Sequence, residues 1–149
     1  MRVVTKAYGE IDVDERQKIT FPDGILGFED LKEYVLLDAS QPPFYWLQSL
    51  DRVEIAFVLI EPLVFRPDYS PDVEAEELAE IGIKAGEDML VFAIVTIPED
   101  SRRMTANLQG PVIINKKTRV ARQSISLNPK WNVRHFILEE MKLVRQGSC

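Results

Sequence analysis

Apolar and polar residues alternate over short distances through most of this chain, the two-residue period of half-buried β-strands. Val3 to Tyr8 is a β-rich start, and Ile11 and Val13 alternate with Glu10, Asp12 and Asp14. Ile19-Thr-Phe21 reads as a short strand stopped by Pro22, and Asp23-Gly24 is a tight-turn signal. Ile25 to Phe28 runs on to the acidic Glu29-Asp30, and Tyr34 to Leu37 is a further strand, closed by Asp38 and the Pro42-Pro43 loop. Phe44 to Leu50 and Val53 to Ile60 flank Asp51-Arg52 with the spacing of a β-hairpin. Met89 to Ile97 is almost continuously apolar and β-branched, which predicts a central strand buried on both faces. Arg119 to Leu127 alternates again, with Ala121, Ile125 and Leu127 expected on one face and Arg122, Ser124 and Ser126 on the other.

Between the strands the period changes once. Pro62, Pro67 and Pro71 punctuate a loop, after which Ala75, Leu78, Ala79 and Gly82 recur at helical spacing. Ser70 is the expected N-cap and Pro71 the first helical residue. Asp72, Glu74, Glu76 and Glu77 crowd the first turns, where the helix dipole favours negative charge. The spacing predicts a helix over 71–81, stopped by Gly82. Val133 to Val144 fits either a helix through Phe136, Ile137, Glu140 and Met141 or a short strand before a tail. Within 105–115, Thr105, Asn107 and Gly110 punctuate a turn, with Gly110 expected at positive φ. Pro111 then opens a short buried strand, Val112 to Ile114, and Asn115 to Thr118 turns the chain back.

Many short strands, one inserted helix and no internal repeat predict a mainly β protein: a small antiparallel β-barrel-like single domain, 1–149, with one inserted acidic helix. Barrel closure would remove exposed sheet edges. The 149 residues are one domain's worth, and a hydrophobic content of 46% excludes a disordered chain. No apolar run reaches the ~18 residues of a bilayer span. The N-terminus shows no signal-peptide pattern, and the single cysteine, Cys149, leaves no internal disulfide, so cytoplasmic residence is expected. The net charge of −6 is uneven, with −6 over residues 1–70, −8 over 71–100 and +8 over 101–149. A compact fold that brings the acidic and basic segments together cancels much of that field. The sharper alternative is a bipolar surface that orients a charged partner.

Catalytic chemistry is poorly represented. The only histidine, His135, has no Gly-x-Ser-x-Gly elbow or Cys–His arrangement to serve, and a structural or merely exposed role is expected. One His and one Cys cannot fill a zinc site, and no Walker-type phosphate loop is present, so neither metal nor cofactor is expected. Glu99-Asp100 after Pro98 reads as a solvated turn. Direct single-stranded RNA binding is the secondary reading. Phe44-Tyr45-Trp46 offers rings for stacking, and Arg102, Arg103, Lys116, Lys117, Arg119 and Arg122 offer charge. Against it, consecutive strand residues point to opposite faces, and overall acidity repels a polyanion.

An ordered set of motifs runs through nearly the whole chain. It comprises Ile19 to Phe28, Leu47 to Asp51, Ala56-Phe57, Pro67-Asp-Tyr69, Glu87-Asp88, Ile94 to Pro98, Met104 to Leu108, Pro111 to Asn115, Lys117 to Arg119 and Arg134-His135. Together these pieces resemble the flagellar assembly factor FliW family. Polar Ser124 and Ser126, and Phe136 where proline is common, depart from the pattern. The resemblance implies a cytoplasmic β-barrel-like protein without catalytic activity, cofactor, direct nucleic-acid contact or membrane association. It implies two protein partners: the RNA-binding translational regulator CsrA, whose capture relieves repression of flagellin mRNA, and flagellin itself, so that the protein acts as a partner switch.

Three places are candidate partner contacts. One is the run Leu47, Gln48, Ser49 and Asp51. Another is the acidic set Glu74, Glu77 and Glu80, spaced to share a helix face. Asn107 is the third. Each has a structural alternative: Gln48 and Ser49 as partners of backbone groups, the glutamates as a solvated face, Asn107 as a turn former.

Overall fold

The computed structural model describes residues 1–84 and 88–147; Glu87 and Cys149 lie outside the described residues. A first hairpin pairs β1 (Arg2–Thr5) with β2 (Gly9–Asp12) in a sheet of its own. The main sheet is laid down by antiparallel neighbours in sequence: β3 (Lys18–Thr20), β4 (Glu33–Asp38), β5 (Phe44–Ser49), β6 (Ala56–Ile60) and β7 (Met89–Thr96). Leu47 faces Leu36 on one side and Phe57 on the other, so the predicted β5–β6 hairpin is in place. Then β8 (Thr105–Ala106) and β9 (Val112–Asn115) follow one another along β7, while β10 (Ala121–Gln123) pairs with β9 and β11 (His135–Phe136) with β8.

The sheet curls but does not close. Among the described residues one parallel bridge, Thr20 to Val120, joins β3 to the start of β10, with the Thr20 N–H donating to the Arg119 carbonyl at 3.0 Å. Pairing cannot extend along β3, because Pro22 has no N–H to offer. Instead side chains fill the seam: Ile19, Phe21 and Ala121 are fully buried in one core with Tyr34, Leu47, Leu59 and Phe92. A second core lies on the other face, around Phe65, Ala93, Val95, Leu108 and Trp131. β7 divides the two: Leu90, Phe92 and Ile94 serve the first core, and Val91, Ala93 and Val95 the second. That is the strand buried on both faces that its unbroken apolar run predicts.

Several expectations are corrected. The helix α1 spans Ala75–Glu80, beginning at the N-cap Glu74 rather than Ser70. Asp72 sits at φ 48, outside the helical region, and its backbone and side chain are tied elsewhere. Its carbonyl accepts from the Leu127 N–H at 2.8 Å, and its carboxylate accepts from Ser70 Oγ and Asn128 Nδ2. Past Gln123 the predicted alternation inverts, so that Ser124 and Ser126 are buried while Ile125 and Leu127 stand 48% and 64% exposed. β10 stops at Gln123, and the chain then bonds to the loop before β9: Ser124 N–H to the Pro111 carbonyl, Ser126 N–H to the Gln109 carbonyl. Gly110 is needed for space rather than for positive φ, since a Cβ there would lie 3.0 Å from Gln123 Nε2 and 3.2 Å from Asn107 Nδ2. At the C-terminal end both alternatives occur in turn: strand β11, then a second helix, α2 (Ile137–Gly147).

Candidate functional site

The strand arrangement decides which candidate residues can meet a partner. Leu47 is fully buried in the first core. Gln48 is 1% exposed; its Nε2 donates to the carbonyls of Ser49 and Val53 at 2.9 Å and Ile55 at 3.3 Å, and its Oε1 accepts from the Lys6 N–H at 2.8 Å. One side chain thereby fastens the first hairpin to the β5–β6 turn. Ser49 Oγ accepts from the N–H groups of Asp51 and Arg52, which shapes that turn. Asp51 is exposed, and its carboxylate accepts from the backbone N–H groups of Lys32 and Glu33.

The three glutamates do not form one free face. Glu74 is exposed, whereas Glu77 is partly buried, and Arg122 donates to Glu77 at 2.7 Å and also to Glu80. Arg122 further donates to Ser124 Oγ at 2.9 Å, so it clamps α1 onto the end of β10. Lys117 with Asp88 and Lys130 with Asp68 likewise join the basic C-terminal third to acidic segments before it. Much of the uneven charge is cancelled in this way.

Asn107 alone of the candidates lies in a groove. Its Oδ1 accepts from the Gln109 and Gly110 N–H groups, as its turn position predicts. The groove, of about 660 Å³, opens where β6 and β7 separate: their ladder ends at Val58 opposite Val95, while on the other edge of β7 Val95 and Thr96 pair with Ala106 and Thr105. Its floor is apolar, with Ile25, Phe57, Ile94 and Phe136, and its rim carries Leu26, Val133, Arg103 and Arg134. Gln123 holds the loop wall, accepting from the Leu26 N–H at 3.1 Å and donating to the Gly110 carbonyl at 3.0 Å. Arg103 lies over the Phe136 ring, 5.0 Å from its centroid. No periodic signal in the sequence joins these groove residues, which come from five separate segments.

His135 is structural. Its Nε2 accepts from the Asn132 N–H at 2.9 Å, which places the imidazole proton on Nδ1, 3.0 Å from Glu140 Oε2. Arg66 donates to the same carboxylate at 2.7 Å and stacks over Trp131. Arg66 also grips Asp68, whose carboxyl is held well below the usual range by that bond first and by Lys130 second. The network fastens α2 to the second core beside the groove. Among the described residues no group of three or more His, Cys, Asp or Glu side chains could hold a metal ion, and no helix is long and apolar enough to cross a membrane.

Comparison with known proteins gives a consistent result. The family model described as FliW protein matches residues 2–137. The flagellar assembly factor FliW of Treponema denticola is 47% identical, aligned over 95% of this chain and 96% of its own. The protein of that name from Treponema pallidum (strain Nichols) is 44% identical over 95% of this chain and 94% of its own. A crystal structure of the flagellar assembly factor FliW superposes with a TM-score of 0.84 at 34% identity, covering 92% of this chain and 96% of that one. With a match that runs from the first hairpin to the start of α2, the chain belongs to the FliW family.

Proposed function

We propose that this chain is a non-enzymatic flagellar assembly factor of the bacterial cytoplasm. It binds the translational regulator CsrA, so relieving repression of flagellin mRNA, and it also binds flagellin, which competes for it. The observation that carries this reading is family membership across residues 2–137, with relatives named as flagellar assembly factors. Charge is compatible with it. An acidic protein of net charge −6 steers toward a basic RNA-binding partner, and Glu74 and Glu76 stand exposed at the start of α1. Titration calorimetry with purified CsrA tests the reading. Saturable heat, reduced when flagellin is added first, is expected. Absence of heat with both proteins folded would refute it.

The RNA-binding alternative has less support, because its three half-buried rings do not share one face. Phe44 packs on the second core, Tyr45 on the first, where its ring meets Phe92 edge-on at 5.2 Å, and Trp46 on the cluster under the first hairpin. A mobility shift of the flagellin leader RNA by this protein alone, at low salt where phosphate contacts are strongest, would restore it.

A further inference from the structure

The β6–β7 groove concentrates positive charge on an acidic protein. We propose that it receives an acidic amphipathic peptide segment of a partner, with apolar side chains against Phe57 and Ile94 and carboxylates on Arg103 and Arg134. This deepens the partner-binding reading above and rests on it. Arg103 and Arg134 are both exposed, and neither forms an ion pair among the described residues. The one carboxylate lining the groove, Asp100, is already engaged: Arg102 donates to its two oxygens at 3.0 and 3.2 Å. Asp100 lies near enough to lend Arg103 part of its charge, but neither guanidinium is paired with a carboxylate among the described residues, and the two arginines outnumber the one acid.

The apolar part of the groove is as informative. Leu26 is 61% exposed and Val133 52% exposed at the groove, and the backbone is pinned beside each. Gln123 holds Leu26, and His135 holds the chain at Asn132 beside Val133. With the backbone held at these points, a ligand that covers the two side chains gains apolar burial with little backbone reordering. A space of about 660 Å³ takes several side chains rather than one. Nucleic acid suits it less well, because its rings already have partners: Arg103 covers Phe136, and Phe57 packs in a T-shaped contact with Phe28 at 5.2 Å.

The test is fluorescence anisotropy with the intact protein and a labelled peptide of about twelve residues, Leu and Phe on one helical face and Glu on the other. Saturable binding in the micromolar range is expected. Replacing the peptide's Glu by Lys, or making Arg103→Glu with Arg134→Glu, should weaken it at least about tenfold. Leu26→Asp, at an exposed loop position, should do the same and serves if the double variant does not fold. Absence of peptide binding, equal affinity for the Glu and Lys peptides, or unchanged affinity in both variants would overturn the proposal. So would displacement of the peptide by a single-stranded oligonucleotide. Calorimetry with CsrA on the unaltered protein keeps the two readings apart: heat from CsrA without peptide binding sinks the groove proposal alone.

Discussion

Gln48 distinguishes a structural from a recognition role most sharply. Its amide reaches four backbone groups of two separate hairpins, the Nε2 hydrogens being shared among three carbonyls, while only 1% of the residue is exposed. Gln48→Ala would orphan the Lys6 N–H and remove donors from three carbonyls, leaving a void beside Leu50 and the first hairpin. Carbonyls tolerate the loss better than the N–H, since each retains a second lone pair; the Ile55 carbonyl still accepts from the Ser49 N–H. Val53 is 41% exposed, so its carbonyl can turn to water. The remaining unsatisfied groups and the void cost about 2–3 kcal/mol. At roughly 2–4 °C per kcal/mol for a chain of this size, the melting temperature falls by about 5–10 °C. Gln48→Met separates the terms, since it keeps volume and removes every hydrogen bond. It should lose nearly as much as Gln48→Ala. Urea unfolding of both variants, with CsrA calorimetry alongside, is the assay. Stability within about 0.5 kcal/mol of the parent, together with weakened CsrA binding, would refute the structural assignment and make Gln48 a contact.

Three other outcomes are expected. Gly24→Ala should destabilise by more than about 2 kcal/mol in thermal unfolding, because Gly24 sits at φ +69 and a Cβ would lie 2.6 Å from the Glu29 Cα, which is backbone and cannot step aside. Arg122→Ala should cost about 1–2 kcal/mol, with a double-mutant cycle against Glu77→Ala giving favourable coupling; Arg122→Lys should recover less than half, since a single ammonium cannot reproduce the fork to Glu77, Glu80 and Ser124. Asp68 has a folded pKa depressed below its ordinary 3.8, so its stabilising contribution is complete above that value and is lost as pH falls below it. Asp68→Asn should therefore lower stability at pH 7 and flatten the acid limb of a stability–pH profile below about pH 4.

Local chemistry was legible; non-local packing was not. The β5–β6 hairpin, the Asp23-Gly24 turn and the Gly82 stop, at φ +77, follow from residues that act within a few positions of themselves. Asn115 likewise turns the chain as its type predicts, its Oδ1 accepting from the Lys117 and Thr118 N–H groups, but its Nδ2 also donates to the distant Ile81 carbonyl, which no local rule supplies. The helix start was misplaced because Asp72 answers to Leu127 and Asn128 across the molecule. The inverted faces at Ser124 have the same origin, since Pro111 and Gln109 take over the backbone pairing there. A glutamine looks the same in sequence whether it meets solvent or, like Gln48, closes four backbone bonds. The groove depends on where two strands part, and the pairing of β8 with β11 sets Arg103 and Arg134 at opposite ends of its rim.

The seam between Thr20 and Val120 has a kinetic meaning. From β3 through β7, each ladder joins strands adjacent in sequence, so those hairpins can form early and cheaply in chain entropy. The seam instead joins chain segments from the two ends of the sheet, and it is held by one bridge and by the burial of Ile19, Phe21 and Ala121. Loop closure on that scale is compensated only once the intervening strands are in register. The ladder is therefore expected to assemble first and the curl to shut last. In the native state the order reverses: a seam with so little backbone pairing is the first line along which the sheet opens, while the long β4–β5–β6 ladder persists.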